Sequence, residues 1–105
     1  MSFAFRVVRM AEVLLGGLVA SNAAGQIVRS SSSAASNYRA SQRGRSHKDF
    51  ASKVGIALEE ADETAFWLEY IVRYGFVEES RMRELCQEAD ELVRILATIR
   101  KRTRE

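Results

Sequence analysis

The chain has 105 residues, 47% apolar and 29% charged, with a formal net charge of +2. That length predicts one domain spanning residues 1–105, able to bury roughly 65% of its extended surface without staples. One cysteine (Cys86) and one histidine (His47) exclude an intrachain disulfide framework and a Cys- or His-rich metal site, and the absence of proline disfavours a turn-rich β fold.

The first predicted element covers about residues 3–15. Phe3, Val7, Met10 and Leu14 step by four, three and four, with Val8, Ala11 and Leu15 beside them. Gly16-Gly17 then weakens any continuing helix. Arg6 and Arg9, the apolar run Val13–Ala20 and the small residues Ser21–Ala24 imitate a secretory leader. Glu12 interrupts that run, and cleavage would remove an amphipathic stripe, so the expected location is cytoplasmic. No stretch reaches the ~18 apolar residues of a membrane span, and no membrane partner is expected.

The second element is predicted over about 22–44. Ser30-Ser31-Ser32-Ser33 imitates a linker, yet Ala23, Ile27, Ser31, Ala34 and Tyr38 recur at helical spacing. Serine costs only about half a kcal/mol against alanine in a helix, so the segment reads as a helix with a small-residue packing face. Gly44 suits its end. Ser46 and Asp49 then resemble a capping box that opens a long helix over 47–74. Phe50, Val54, Ala57, Ala61, Thr64, Leu68 and Ile71 form one stripe on it. Ile56, Trp67, Tyr70 and Tyr74 mark a second stripe that also passes through Glu60 and Glu63. Two stripes require two partners, so these four residues are the expected subunit interface, with Trp67, Tyr70 and Tyr74 alternatively completing the core. Gly75-Phe76 fits a helix stop with a hydrophobic latch. Ser80 is the expected cap of a last helix over 80–102, whose core stripe is Met82, Leu85, Ala89, Leu92, Leu96 and Ile99. Short connections between four helices predict an all-α, up-and-down antiparallel four-helix bundle.

Charge is distributed in blocks: +6 over residues 1–53, −8 over 54–93 and +4 over 94–105. Antiparallel packing brings opposite blocks together, which favours internal pairing. Arg29 and Arg39, ten residues and so about 80° away from a whole number of turns apart, can each reach a carboxylate on the third helix. Glu60 and Glu63 interrupt an apolar stripe and are the acids that need such a partner, at a cost of roughly 3–5 kcal/mol if a buried pair is broken. Arg43, Arg45 and Lys48 at the second connection, and Arg100, Lys101, Arg102 and Arg104 at the C-terminus, are the candidate nucleic-acid contacts. The sequence reading assigns these two groups to opposite poles of the bundle.

Glu59, Glu60, Asp62, Glu63 and Glu69 invite a di-iron reading, but that chemistry uses Glu-x-x-His repeats and the only histidine is His47. Cys86 falls on a core stripe, and His47 is the only imidazole to serve it as a base. No catalytic residue, metal, cofactor or small-molecule substrate is therefore expected.

Arg29-Ser30, the run Ser33–Arg39 (SAASNYR), Arg45-Ser46, Asp49–Lys53, Glu59–Thr64 (EEADET) and Phe66–Glu69 (FWLE) occur in that order. Their combination resembles the bacterial four-helix-bundle family named for proteins encoded in intervening sequences of 23S rRNA genes. Accessory proteins of diversity-generating retroelements look like relatives. The resemblance runs from about Phe5 to about Arg100. It implies a left-handed up-and-down bundle, a ring-like homopentamer and no established enzyme activity. The chain departs from the pattern at Ala40, where many relatives carry Glu, and at Gly16-Gly17, where many carry Pro. The resulting expectation is a non-catalytic oligomeric module that binds RNA, DNA or a nucleic-acid enzyme through basic patches; the alternative is a purely structural protein–protein scaffold.

Overall fold

The computed structural model describes residues 2–14 and 17–104. Four helices follow one another: α1 (Ser2–Glu12), α2 (Gly17–Ser41), α3 (His47–Tyr74) and α4 (Glu79–Thr103). Neighbours in the chain pack side by side and α1 also meets α4, while the backbones of the diagonal pairs α1/α3 and α2/α4 lie farther apart among the described residues. The all-α four-helix architecture predicted from periodicity is the one adopted. At 1.5 Å per residue α3 is about 42 Å long, so it runs nearly the full length of a molecule measuring 45 × 20 × 19 Å.

Local signals explain most of the boundaries. The Ser46 hydroxyl accepts from the Asp49 N–H at 3.0 Å and opens α3. The Asp49 carboxylate reaches back to the Arg45 N–H (3.4 Å), one residue beyond the position a reciprocal box requires. At the other end Gly75 adopts φ 89°, a left-handed conformation that glycine enters without penalty. The Gly75 N–H bonds Ile71 and Val72, and the Phe76 N–H bonds Ile71 at 3.2 Å, closing a Schellman turn. Phe76 packs against the core, so the predicted latch is present.

Four boundaries differ from the sequence expectation. Helix α2 begins at Gly17, five residues early, because Ala20 is buried in line with Ala23 and Ile27 and extends the packing stripe by a turn. It ends at Ser41, where the Ser41 hydroxyl bonds the Tyr38 carbonyl (2.6 Å) and the Gly44 N–H bonds the Ser41 carbonyl (3.1 Å). Ser80 lies inside α4 and does not cap it. The capping position is Glu78, which makes no side-chain bond; its carbonyl instead accepts from the Arg81 N–H at 3.1 Å. Helix α1 stops at Glu12; Leu15 and Gly16, which the sequence reading includes in the first element and its end, lie outside the described residues.

With only 11 residues, α1 covers less than half the length of its neighbours. The half of the bundle it covers contains the large core: Val7, Ala11, Ala23, Ile27, Leu68, Ile71, Met82, Leu85 and Ala89. Beyond a polar layer in which the Ser30 and Thr64 hydroxyls lie 2.9 Å apart, the other half rests on three helices and a small cluster of Ala57, Ala61 and Leu96.

Candidate nucleic-acid interface

The small-core half ends in a strongly basic pole. The His47 Nε2 atom lies 3.0 Å from the Thr103 carbonyl oxygen, a contact that places the proton on Nε2. It ties the start of α3 to the end of α4. The 42–46 connection ties the end of α2 to the same place. The expectation of two patches at opposite poles is therefore corrected. In an up-down-up-down chain α2 and α4 run in the same direction, so Arg43, Arg45 and Lys48 share one pole with Arg100, Lys101, Arg102 and Arg104. Arg39 and Lys53, which the sequence reading did not assign there, join them in the α2/α3 groove beside Arg43.

Residues 38–54 thus contribute five cations and residues 100–104 four, against Asp49 within those segments and Glu59, which lines the α3/α4 groove beside Arg100. Asp49 is already engaged with the Arg45 backbone. Among the described residues no salt bridge involves any of the nine. The four at the end of α4 are favoured by the helix dipole, which tolerates cations in a last turn without carboxylate partners. Nine like charges on a face about 20 Å across produce a field that attracts polyanions.

The ion pairs lie elsewhere. Arg29 on α2 bridges both α3 acids, bonding Glu60 at 2.7 Å and also pairing with Glu63. Its hydrogen bond holds the Glu63 carboxyl below its ordinary value, against the effect of burial. The network is more open than a buried pair: the side chains of Arg29, Glu60 and Glu63 are 49%, 17% and 34% exposed. Arg39 does not join it, because its helical position turns it to the basic groove instead. Arg6 pairs with Glu88 at 2.6 Å, and Glu69 with Arg73 along α3.

The second stripe of α3 forms an aromatic ladder. Trp67 and Tyr70 meet edge to face at 5.1 Å, and Tyr70 stacks on Tyr74 at 6.1 Å. Two rings that the sequence reading left out complete it: Phe66 against Trp67 at 5.0 Å, and Phe76 on Tyr74 at 4.6 Å. Tyr74, Phe66 and Ile56 are exposed, whereas Trp67 and Tyr70 are half-buried. Phe66 was legible only as part of the FWLE run; its outward position follows from lying one residue, about 100°, from the Trp67 stripe. The Trp67 Nε1 atom is buried beside Glu63 yet completes no hydrogen bond.

Cys86 is half-buried, and burial, with Asp90, Glu69 and Glu79 nearby, pushes its thiol up, the wrong direction for a nucleophile. Among the described residues no three His, Cys, Asp or Glu side chains converge to hold an ion. Among the described residues no helix is long and apolar enough to cross a membrane.

The family model described as 23S rRNA-intervening sequence protein matches residues 1–98. A crystal structure from Bacteroides thetaiotaomicron VPI-5482, described as a protein with unknown function from the S23 ribosomal protein family, is 31% identical. It superimposes with a TM-score of 0.84 over 95% of this chain and 93% of that one. No curated protein matches the chain.

Proposed function

The chain belongs to the 23S rRNA-intervening sequence protein family, and from that premise we propose that it is a self-assembling, non-catalytic module that engages nucleic-acid phosphates with its basic pole. The observation that carries this reading is the gathering of nine cations against two carboxylates, Asp49 and Glu59, with no salt bridge to those cations among the described residues. Internal pairing accounts for Arg6, Arg29 and Arg73 but not for these. Self-assembly is supported by the aromatic ladder, whose outer rings Phe66 and Tyr74 are more than half exposed. Five subunits are the number the family resemblance favours, and a closed ring would repeat the basic pole in every subunit and raise avidity.

The test is retention of duplex DNA, duplex RNA and single strands at 50 and 200 mM salt, alongside sedimentation of the 11.8 kDa chain. With six phosphates engaged, affinity for duplex DNA falls by about 10³ between those salts. Reversal of Arg100, Lys101 and Arg102 to Glu, or of Arg43 and Arg45, abolishes retention at the higher salt. Because the two groups share a pole, combining them adds little further loss. Absence of binding at 50 mM, with oligomers intact, leaves the protein–protein scaffold as the function.

A further inference from the structure

We infer that Arg100 is a pre-positioned phosphate-binding residue, seated on the bare backbone of Gly55 in the groove between α3 and α4. The inference rests on the polyanion reading of the basic pole and identifies where in it affinity concentrates. Gly55 is buried within α3, about two turns from its start, where glycine costs about 1 kcal/mol against alanine. Its backbone is right-handed, so no left-handed turn requires it. Space does: a Cβ at Gly55 would overlap Arg100 Nη1 and stand 3.0 Å from Cζ and 3.5 Å from Nη2. By contrast, a Cβ at Gly25, also within a helix, would meet nothing within 4 Å. The guanidinium of Arg100 therefore occupies the position that a side chain at residue 55 would take.

Held there, Arg100 is half-buried yet unpaired. Glu59 lines the same groove without coming within ion-pair distance, and no oxygen among the described residues accepts from the guanidinium. Lys101 and Arg104 line the groove beside it. A planar fork packed against the Gly55 backbone loses less rotamer freedom on meeting a phosphate than a lysine in open solvent does, and it can bond two oxygens at once. Partial desolvation strengthens that contact relative to one made by the exposed Arg102.

The experiment compares the full-length wild type with Arg100→Lys, Gly55→Ala and Arg102→Lys, none of which changes net charge. Each is titrated at 50 mM salt with an oligonucleotide and, separately, with inorganic tripolyphosphate, following affinity and the Arg100 Nε–H resonance by NMR. Arg100→Lys weakens both ligands about tenfold, as expected for a lost charge-assisted bidentate contact. Gly55→Ala does the same by evicting the guanidinium, and Arg102→Lys changes affinity less than about twofold. Wild-type affinity in both Arg100→Lys and Gly55→Ala overturns the inference and leaves the basic pole as a diffuse charge. If Gly55→Ala does not fold, Arg100→Lys alone decides. Tripolyphosphate binding that shifts the Arg100 resonance, without oligonucleotide binding, sinks the nucleic-acid reading but sustains this one. Absence of both sinks both.

Discussion

The two halves of this bundle solve the same packing problem differently. Where α1 lies against α2 and α4, four helices enclose nine buried apolar side chains, and the Arg6–Glu88 bridge joins the short helix to α4. Beyond the Ser30–Thr64 layer, three helices enclose Ala57, Ala61 and Leu96, and nine cations gather around only Asp49 and Glu59. One half concentrates apolar burial; the other carries unneutralised charge. The half-length first helix produces that division.

The largest test of the contrast is truncation in each core. Leu68→Ala, fully buried in the α1-covered half, is expected to cost about 2–5 kcal/mol, or more than about 10 °C in melting temperature. Leu96→Ala falls at the bottom of that range, because its buried neighbours Ala57 and Ala61 already present little surface for it to fill against. Equal losses measured by thermal unfolding would break the comparison.

Gly75→Ala comes next. Its φ of 89° is left-handed, so a Cβ there is expected to cost about 1–2 kcal/mol, read by the same melt. Open space around residue 75 means that the loss is conformational rather than steric.

Glu60→Ala sharpens the boundary between the halves. A carboxylate in an apolar stripe predicts a buried pair, worth roughly 3–5 kcal/mol on removal of one partner. The bridging arginine is half exposed, so the expected cost is about 1 kcal/mol, the upper end for a solvated pair.

The smallest effect is one of pH. Arg29 depresses the Glu63 carboxyl, whose ordinary value is 4.5. A group with a lowered folded pKa adds stability that is fully present above its unfolded value and is lost as pH falls through the folded one. Melting temperature is therefore expected to decline below about pH 4.5, and Glu63→Gln to decline less over that window. An unchanged profile in the variant would remove Glu63 from the network.

Much of this was legible in the residues. The 3-4-3 spacing of Val54, Ala57, Ala61, Thr64, Leu68 and Ile71 gave the buried face of α3, and Ser46 and Gly75 gave its ends, because capping and periodicity are local properties of backbone and side chain. Arg29, Glu60 and Glu63 were also recognisable as an ionic set, since a carboxylate within an apolar stripe demands a donor. The stopping point of α1 was not legible, nor was the start of α2, where the burial of Ala20 against a neighbour outweighs the helix-weakening glycine before it.

The sequence by itself determined four helices, the faces they bury and the residues that punctuate them, since each depends on interactions within a few positions along the chain. Only the tertiary structure decided that Arg43 and Arg100 share a pole, that Arg39 turns away from the acids Arg29 reaches, and that Gly55 leaves room for a guanidinium from α4. Those facts join residues about 45 to 60 positions apart or set a helix's rotation, and they are fixed by which faces pack together rather than by any local preference of the chain.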